Sequence, residues 1–460
     1  MKKVRVSLRP IVNNINLPTV LKTATLPGEQ TERLFFATQP GVIYYMGDNG
    51  AEVFLDIRSR VLRLGGYDER GLLGMAFHPR FNSNGLFYLH YSVAGTQGRG
   101  ALSEDIIPSP CELQTLNLVW RNRETRFDHI DTVEEWSMQN GQPGKLRTLL
   151  NLRRPFMNHN GVNSLNFSPE SGRLVLTTGD GGSGFDPFNL SQNDMETAGK
   201  IIEINVNSIN SIEDQPAVTR FDELAAPVRE MLTLIAKGVR NMPGICYQRM
   251  NNQYLKYAGN VGQELVESIF TFVNYKPIPV SRLVTAIPDP IGFINFGWRG
   301  WEGDFPTCVV RNCPNNAVLN EKTVAYFEEA ALTSTLRLQP LISYYHRDPR
   351  PDRAGATALT GITAYMGRAI PDLTGCVLFT DLAAERNSQP ARGFMAYTTP
   401  RQDCKLNDLS VIEIDFDFGQ QPAYFVSLGS NTDQTRLFLG VYTSMRVADL
   451  NRGSIFEIIP

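Results

Sequence analysis

A histidine beside a carboxylate is the clearest candidate for chemistry in this sequence. Of five histidines, His159 stands in an Asn-His-Asn-Gly segment that precedes a strand-like run, and this run ends in Thr-Gly-Asp-Gly-Gly with Asp180. Adjacent strands of one hairpin would put both side chains at the same rim. There an aspartate fixes the tautomer of the imidazole and makes it a better proton acceptor, which is half of a general-base arrangement. The alternative is that Asp180 only serves a tight turn.

The segment GDGGSGFDPFNLSQND is rich in side-chain oxygens of the kind that calcium prefers. These oxygens belong to Asp180, Asp186, Asn189, Asn193 and Asp194. The spacing does not match an EF-hand loop. A calcium site and an ordinary turn-rich loop are therefore both open interpretations of this segment.

Two other segments offer groups that could contact a ligand. Arg240 and Asn241, in KGVRN, provide a cation and an amide that could stabilise an oxyanion or bind a carboxylate, although such a pair is more often structural. Trp298 and Trp301, in GWRGWEG, could form a platform on which a sugar stacks. Packing in the core is the alternative for these two indoles.

Composition and charge exclude several classes of protein. The 44 Lys plus Arg against 47 Asp plus Glu give a net charge of −3, without the basic excess that nucleic-acid binding requires. No apolar run approaches the roughly 20 residues that span a bilayer. We therefore expect no nucleic-acid partner and no membrane span. The basic N-terminal segment lacks the apolar region of a signal peptide.

Six cysteines are too few for a disulfide scaffold in a chain of 460 residues. Cys308 and Cys313 are close enough in sequence to form a local disulfide. Zinc is the other interpretation, but no second Cys or His pair follows at zinc-finger spacing. Cys246 stands among apolar neighbours and is predicted to be a buried thiol.

Short β-branched and aromatic runs, bounded by Gly, Pro, Asn or Asp, predict an all-β protein with a few short helices. The most helical stretch, FDELAAPVREMLTLIAKG, is interrupted by Pro227. A strand, a polar turn and an aromatic strand recur irregularly, which favours a β-propeller over a series of β-sandwiches. We expect residues 1–460 to form a single propeller domain, with residues 1–30 closing or flanking it.

Several motifs together resemble one known family. GLLGMAFHPRF, NHNG, TGDGG, SQN with GKIIEINV, KGVRN, NVGQELVESI and NFGWRGWEG follow one another in the order found in soluble quinoprotein glucose/sorbosone dehydrogenases. The likeness runs from about residue 32 to the C-terminus. Hedgehog-interacting proteins share the pattern, so it indicates the fold more strongly than the activity.

The resemblance implies a six-bladed propeller that oxidises an aldose sugar with pyrroloquinoline quinone (PQQ) and calcium. His159 matches the base that takes the proton from the anomeric hydroxyl while hydride passes to the quinone, and Asp180 matches the carboxylate that orients it. Arg240 and Asn241 match residues that contact the cofactor, where the charge of Arg240 would stabilise the reduced quinone. An electron acceptor, a homo-oligomer and a periplasmic or extracellular location are further expectations.

The cofactor and metal contacts follow the resemblance only in part. Gly262 and Gln263 match positions whose backbone carbonyls bind the calcium. The family's cofactor-binding lysine is missing from LFTDLAAERNSQPARG, where Arg386 or Arg392 could replace it, and Arg299 is a further candidate cation. PQQ carries three carboxylates, so each lost cation would weaken its binding. A non-catalytic propeller that serves as a binding or structural protein is therefore the alternative function.

Overall fold

Six β-sheets form the blades of a β-propeller, which confirms the predicted fold class. The structure is a computed structural model that describes residues 3–95, 119–208, 215–285, 294–307, 336–347, 355–384, 390–400 and 409–460. Cys308 and Cys313 lie outside the described residues, so the prediction for this pair stays open. Cys246 is buried and free, as predicted.

The inner strands of the first three blades follow the chain, and later segments add outer strands to blades 2 and 3. Blade 1 contains β2 (Pro18–Thr25), β3 (Glu32–Thr38), β4 (Val42–Gly47) and β5 (Gly50–Asp56). Blade 2 contains β6 (Leu72–Phe77), β7 (Leu86–Ala94), β8 (His129–Gln139), β9 (Gln142–Arg154) and β13 (Ala217–Val218). Blade 3 contains β10 (Leu165–Phe167), β11 (Leu174–Thr177), β12 (Lys200–Ile204), β14 (Leu232–Lys237), β18 (Ile278–Pro279), β19 (Ile294–Asn295) and β22 (Leu336–Arg337).

The last three blades complete the ring. Blade 4 contains β15 (Ile245–Met250), β16 (Gln253–Asn260), β17 (Val266–Phe272) and β23 (Ile342–Tyr345). Blade 5 contains β24 (Leu359–Ala364), β25 (Val377–Ala384), β26 (Arg392–Thr398) and β27 (Ser410–Val411). Blade 6 contains β1 (Arg5–Ile15), β28 (Glu413–Asp415), β29 (Tyr424–Ser430), β30 (Leu437–Tyr442) and β31 (Gly453–Ile459). A two-stranded hairpin, β20 (Trp301–Glu302) with β21 (Phe305–Pro306), stands apart from the blades.

Blade 6 is assembled from both ends of the chain. β1 pairs antiparallel with β31, from Ser7 opposite Ile459 to Ile15 opposite Gly453. On its other edge β1 pairs parallel with β28, so its backbone groups are used on both sides. The N-terminal strand thus joins the ring through backbone hydrogen bonds to the last strand.

In the described parts of the chain the helices are few and short. They are α1 (Phe81–Asn84), α2 (Ala226–Met231) and α3 (Val280–Val284), with 3₁₀ turns at Phe221–Glu223 and Pro371–Leu373. The helical stretch of the sequence is split: Pro227 stands in the first turn of α2, and the apolar residues after it become β14. None of the helices in the described ranges has the length and apolar character that crossing a membrane would need.

In the described residues, six apolar clusters lie between neighbouring blades and form most of the hydrophobic core. Strands such as β12 and β14 are buried at every position, because another blade covers each of their faces. The first strands of the blades (β2, β6, β10, β15, β24 and β29) surround the central channel. Neighbouring strands of this set contact each other, and between β10 and β15 the Asn166 amide donates to the carbonyl of Ile245 at 2.9 Å. Their two ends therefore shape the two mouths of that channel.

Candidate active site

One mouth of the channel opens into a cavity of about 460 Å³, which we call the upper pocket. The polar residues of its lining include Glu69, His159, Arg240, Asn241, Gln263 and His346. They come from loops of different blades that meet over the channel axis. The structure therefore gathers most of the predicted site residues in one cavity.

His159 and Asp180 are brought together at the rim of blade 3. His159 precedes β10 and Asp180 follows β11, and these two strands form an antiparallel hairpin. His159 Nδ1 lies 2.7 Å from Asp180 Oδ1. The loops touch so closely that a Cβ at Gly179 would stand 1.7 Å from the carbonyl oxygen of His159, which explains the glycine before Asp180.

The carboxylate of Asp180 is held on both oxygens. Oδ1 also accepts the backbone N–H of Gly182 at 2.9 Å, and Oδ2 accepts the indole N–H of Trp298 at 2.8 Å. A carboxylate that accepts the Nδ1–H of His159 leaves the lone pair on Nε2, so the imidazole can accept a proton there. Trp298 is 1% exposed. It is therefore part of the core and orients Asp180, and it is not a sugar platform.

Arg240 and Asn241 both line the upper pocket. The Arg240 guanidinium lies over the Trp298 ring, 5.5 Å from its centroid, and its Nη2 donates to Gln263 Oε1 at 3.0 Å. Asn241 Oδ1 accepts the backbone N–H of Gly161 at 3.1 Å. Arg240 is thus a fixed cation in the pocket, while Asn241 ties the His159 loop to the KGVRN segment.

Gly262 and Gln263 belong to a tight loop at the pocket wall. Glu302, on β20, is buried, and its Oε1 accepts four successive backbone N–H groups at 2.7–3.0 Å, those of Gln263, Glu264, Leu265 and Val266. A Cβ at Gly262 would stand 1.9 Å from the carbonyl oxygen of Val266, so only glycine fits there. The role of Gly262 and Gln263 as calcium ligands stays a prediction.

The acidic residues of the GDGGSGFDPFNLSQND segment have protein partners. Asp186 accepts the backbone N–H groups of Leu190 and Ser191 at 2.9 and 2.8 Å, and burial together with the charge of Asp180 raises the pKa of Asp186 to about 6. Asp194 forms a buried ion pair with Lys237 at 2.6 Å. Within the described ranges, no three His, Cys, Asp or Glu side chains are grouped as a metal site. The turn-rich loop is the interpretation that these contacts favour.

Two of the three candidate replacement cations, Arg392 and Arg299, do not line the pocket. Arg392 binds the backbone carbonyls of Gly419 and Gln421 and lies over a phenylalanine ring at 5.8 Å. Arg299 is 2% exposed and donates to the backbone carbonyl of Asp186 at 3.0 Å. Neither guanidinium group lines the upper pocket, so the expectation that at least two of Arg386, Arg392 and Arg299 converge on His159 is not met. Arg386 lies outside the described residues.

Glu69 is a pocket residue that the sequence analysis missed. Its Oε2 accepts the backbone N–H of His159 at 2.8 Å, and its Oε1 accepts the hydroxyl of Tyr67 at 2.5 Å. The charge of Glu69, followed by burial, raises the pKa of Tyr67 well above its usual value. Glu69 therefore fixes the His159 loop from blade 2 and adds negative charge to the pocket.

His346 is the second missed residue, and it forms another histidine–carboxylate pair in the same pocket. Its Nε2 lies 2.7 Å from Oε1 of Glu267, which is 0% exposed. Burial opposes the charged imidazole, but the hydrogen bond and charge of Glu267 outweigh it and raise the pKa of His346. The charges of Glu302 and Asp381 act in the same direction. His346 has no motif around it, so only the scarcity of histidines could have drawn attention to it.

The raised pKa of His346 predicts a pH-dependent contribution to stability. A histidine with a raised folded-state pKa stabilises the fold fully below its unfolded value of about 6.5, and this stabilisation is lost as the pH rises through the folded-state value. The difference in urea midpoint between wild type and His346→Gln should therefore be larger at pH 5 than at pH 8. Equal differences at both pH values would contradict the assignment.

His78 provides a control of opposite sign. Burial and the charge of Arg80 lower the pKa of His78, and its Nδ1 accepts the backbone N–H of Arg80 at 3.0 Å. The folded protein therefore favours the neutral imidazole of His78. The stability that this neutral form contributes is lost as the pH falls. His78→Gln should therefore lower the urea midpoint less at pH 5 than at pH 8, which is the reverse of the result expected for His346→Gln.

The fold and the site together define a class of protein: a six-bladed propeller with an aspartate-oriented histidine at one mouth of its channel. The model of the glucose/sorbosone dehydrogenase family matches residues 21–275, and the chain belongs to that family. The chain is 26% identical to the HIPL1 protein of Arabidopsis thaliana over 76% of this chain and 49% of that protein. It is also 26% identical to the human Hedgehog-interacting protein over 39% of this chain and 23% of that protein.

A solved structure shows the same fold. The PQQ-bound aldose sugar dehydrogenase of Streptomyces coelicolor superposes with a TM-score of 0.55 at 15% identity, over 98% of this chain and 96% of that one. At that identity the likeness concerns the fold alone. The chain spans about half the length of the HIPL1 protein.

Proposed function

We propose that the upper pocket binds a sugar and that His159 removes the proton from one of its hydroxyls, as in the dehydrogenation of an aldose. The observation that carries the proposal is the 2.7 Å contact between His159 Nδ1 and Asp180. This contact leaves Nε2 of a pocket-lining imidazole free to accept a proton. Membership of the glucose/sorbosone dehydrogenase family supports the same reaction class.

The proton transfer follows from the geometry of the pair. The hydroxyl proton moves to His159 Nε2, and the ionised Asp180 stabilises the imidazolium that forms. Because Trp298 and Gly182 already hold Asp180, the carboxylate orients the ring without accepting the proton itself. Arg240 provides the fixed positive charge in the pocket against which negative charge on oxygen can develop.

PQQ is the cofactor that the family likeness suggests, and its charge can be compared with the pocket. Among the described lining residues, Arg240 is the permanent cation, while Asp68 and Glu69 are carboxylates. Asp68 is neutralised by Arg70 at 2.8 Å, whereas Glu69 accepts hydrogen bonds from a tyrosine hydroxyl and a backbone N–H. This part of the lining does not match a trianion. The proposal therefore assigns no step to PQQ or to calcium.

A second candidate function is a propeller that binds its ligand without oxidising it. The observation that favours it is the charge of the described lining, together with the position of Arg392 at backbone carbonyls outside the pocket. A sugar held at His159 would then be bound and released unchanged. The two candidates differ in whether the pocket also accepts a quinone cofactor.

Titration with PQQ in the presence of calcium distinguishes the two candidates. We expect Glu69→Gln to bind PQQ about three- to tenfold more tightly than wild type, because one negative charge leaves the pocket and each factor of ten corresponds to about 1.4 kcal/mol. The absorbance of the bound quinone is the readout. Glu230→Gln, on the exposed face of α2, is the control and should match wild type.

The absolute affinity decides the function. Micromolar or tighter binding by wild type would show that residues beyond the described lining, such as Arg386, provide the missing cations, and would support the dehydrogenase. Absence of binding by wild type and by Glu69→Gln would support the non-catalytic propeller. Equal affinities of the two proteins would contradict the charge argument.

A further inference from the structure

The opposite mouth of the channel holds a second cavity, of about 570 Å³, which we call the lower pocket. The same inner strands reach both cavities from opposite ends. In β2, for example, Thr19 lines the upper pocket and Lys22 lines the lower one, and in β24 the same holds for Leu359 and Ile362. The lower pocket is therefore separate from the site described above and has no assigned role.

Lys22 is the central cation of the lower pocket. Its side chain is partly buried, and its ammonium donates to Oδ1 of Asn166. Among the described residues, no carboxylate oxygen lies within 4 Å of the Lys22 ammonium, which is the longest distance of an ion pair. Burial lowers the pKa of Lys22 to about 8, so the amine is still protonated at pH 7. A desolvated charge that has only an amide partner is costly, and an anionic ligand would relieve that cost.

The other residues that line the lower pocket indicate which chemical groups the anionic ligand has besides its charge. The amide side chain of Asn163 lines the lower pocket, and an amide can bond a ligand hydroxyl as donor or as acceptor. The aromatic rings of Phe167 and Tyr254 line the same cavity. Aromatic faces beside amides and hydroxyls fit the mixed apolar and hydroxylated surface of a sugar.

The only carboxylate in the described lining is already engaged. Asp433 accepts the Thr435 hydroxyl at 2.6 Å and the Asn431 amide at 2.6 Å, and its pKa is lowered by these hydrogen bonds. It therefore does not neutralise Lys22. Arg249, at the edge of the cavity, is exposed and donates to Asn252 at 3.3 Å, which leaves the described pocket with positive character around Lys22.

We propose that the lower pocket binds a small hydroxylated carboxylate of the sugar-acid class. The carboxylate pairs with the Lys22 ammonium, a hydroxyl bonds to the Asn163 amide, and the carbon skeleton lies against the aromatic rings. This site does not depend on the reaction proposed for the upper pocket, because the two cavities share no lining residue.

Calorimetric titration with D-gluconate and D-glucuronate tests the site. Wild type should bind at least one of them, and Lys22→Met should bind at least tenfold more weakly. Arg249→Met, which removes an exposed cation from the same cavity, should stay within about threefold of wild type. Neutral D-glucose should not compete with the acid.

Three results would overturn the proposal. The first is no binding of either acid at about 10 mM. The second is binding of inorganic phosphate as tightly as the sugar acids, which would indicate an unselective anion site. The third is loss of binding in Arg240→Met but not in Lys22→Met, which would place the acid in the upper pocket.

A second variant covers the case in which Lys22→Met does not fold. Asn166→Asp retains Lys22 and puts a carboxylate where the amide oxygen now accepts its proton. This internal counter-ion should weaken binding of the acid by at least tenfold, with the inner strands intact by circular dichroism. Wild-type affinity in a folded Asn166→Asp protein would also overturn the proposal.

Discussion

His159→Ala is expected to lower kcat for sugar oxidation by about 10²- to 10⁴-fold, which is the usual share of a general base. The substitution removes Nε2, the atom that would accept the hydroxyl proton, and leaves Arg240 in place. The measurement is the rate of oxidation of a panel of aldoses with PQQ, calcium and a dye as electron acceptor. Turnover by the variant at the wild-type rate would rule out the role of His159.

Asp180→Asn separates the base from the residue that orients it. The amide keeps an oxygen acceptor near the imidazole but loses the charge that stabilises the imidazolium. We therefore expect kcat to fall less in Asp180→Asn than in His159→Ala. His78→Gln, at a histidine outside the upper pocket, is the control and should keep wild-type turnover. If wild type oxidises none of the aldoses, the non-catalytic function is supported.

Glu302→Ala is expected to lower the free energy of unfolding by about 3–5 kcal/mol. One buried carboxylate oxygen accepts four successive N–H groups of the loop from 263 to 266, and alanine would leave these donors without a partner. Glu302→Gln retains an oxygen acceptor without the charge and should lose less. Urea unfolding at constant pH measures both effects.

Glu264→Ala is the matched control for this loop. Glu264 lies in the same turn, but its side chain is exposed, so a change within about 0.5 kcal/mol is expected. Equal destabilisation by Glu302→Ala and Glu264→Ala would show that the network around Glu302 does not hold the loop.

The sequence predicted the parts of the site that arise from local structure. His159 and Asp180 are 21 residues apart and flank one hairpin, so the antiparallel pairing of its two strands places them at the same rim. The short β-branched runs likewise predicted the blades, because each blade is built mainly from consecutive strands. In FDELAAPVREMLTLIAKG, the position of Leu232–Lys237 inside blade 3 decided in favour of a strand.

The parts that were missed depend on contacts between distant segments. Glu69 meets His159 across 90 residues, and Trp298 meets Asp180 across 118. No local pattern marks such partners. The sequence around Trp298 is equally compatible with a sugar platform and with a core position, and only the burial of the indole distinguishes them. The same reason applies to Arg392, whose carbonyl partners on the next loop gave no signal in the sequence.

The pairing of β1 with β31 has a consequence for the order in which the protein folds. Arg9 and Glu457 are ion-paired across blade 6 although 448 residues separate them. β1 is synthesised before the other strands of the propeller, and its partners β28 and β31 are synthesised only after blades 1 to 5. Blades 1 to 5 can form in the meantime, mainly from neighbouring strands, whereas closure of the ring must wait until β28 and β31 have been synthesised. Until then, the unpaired edges of β1 can pair with another nascent chain.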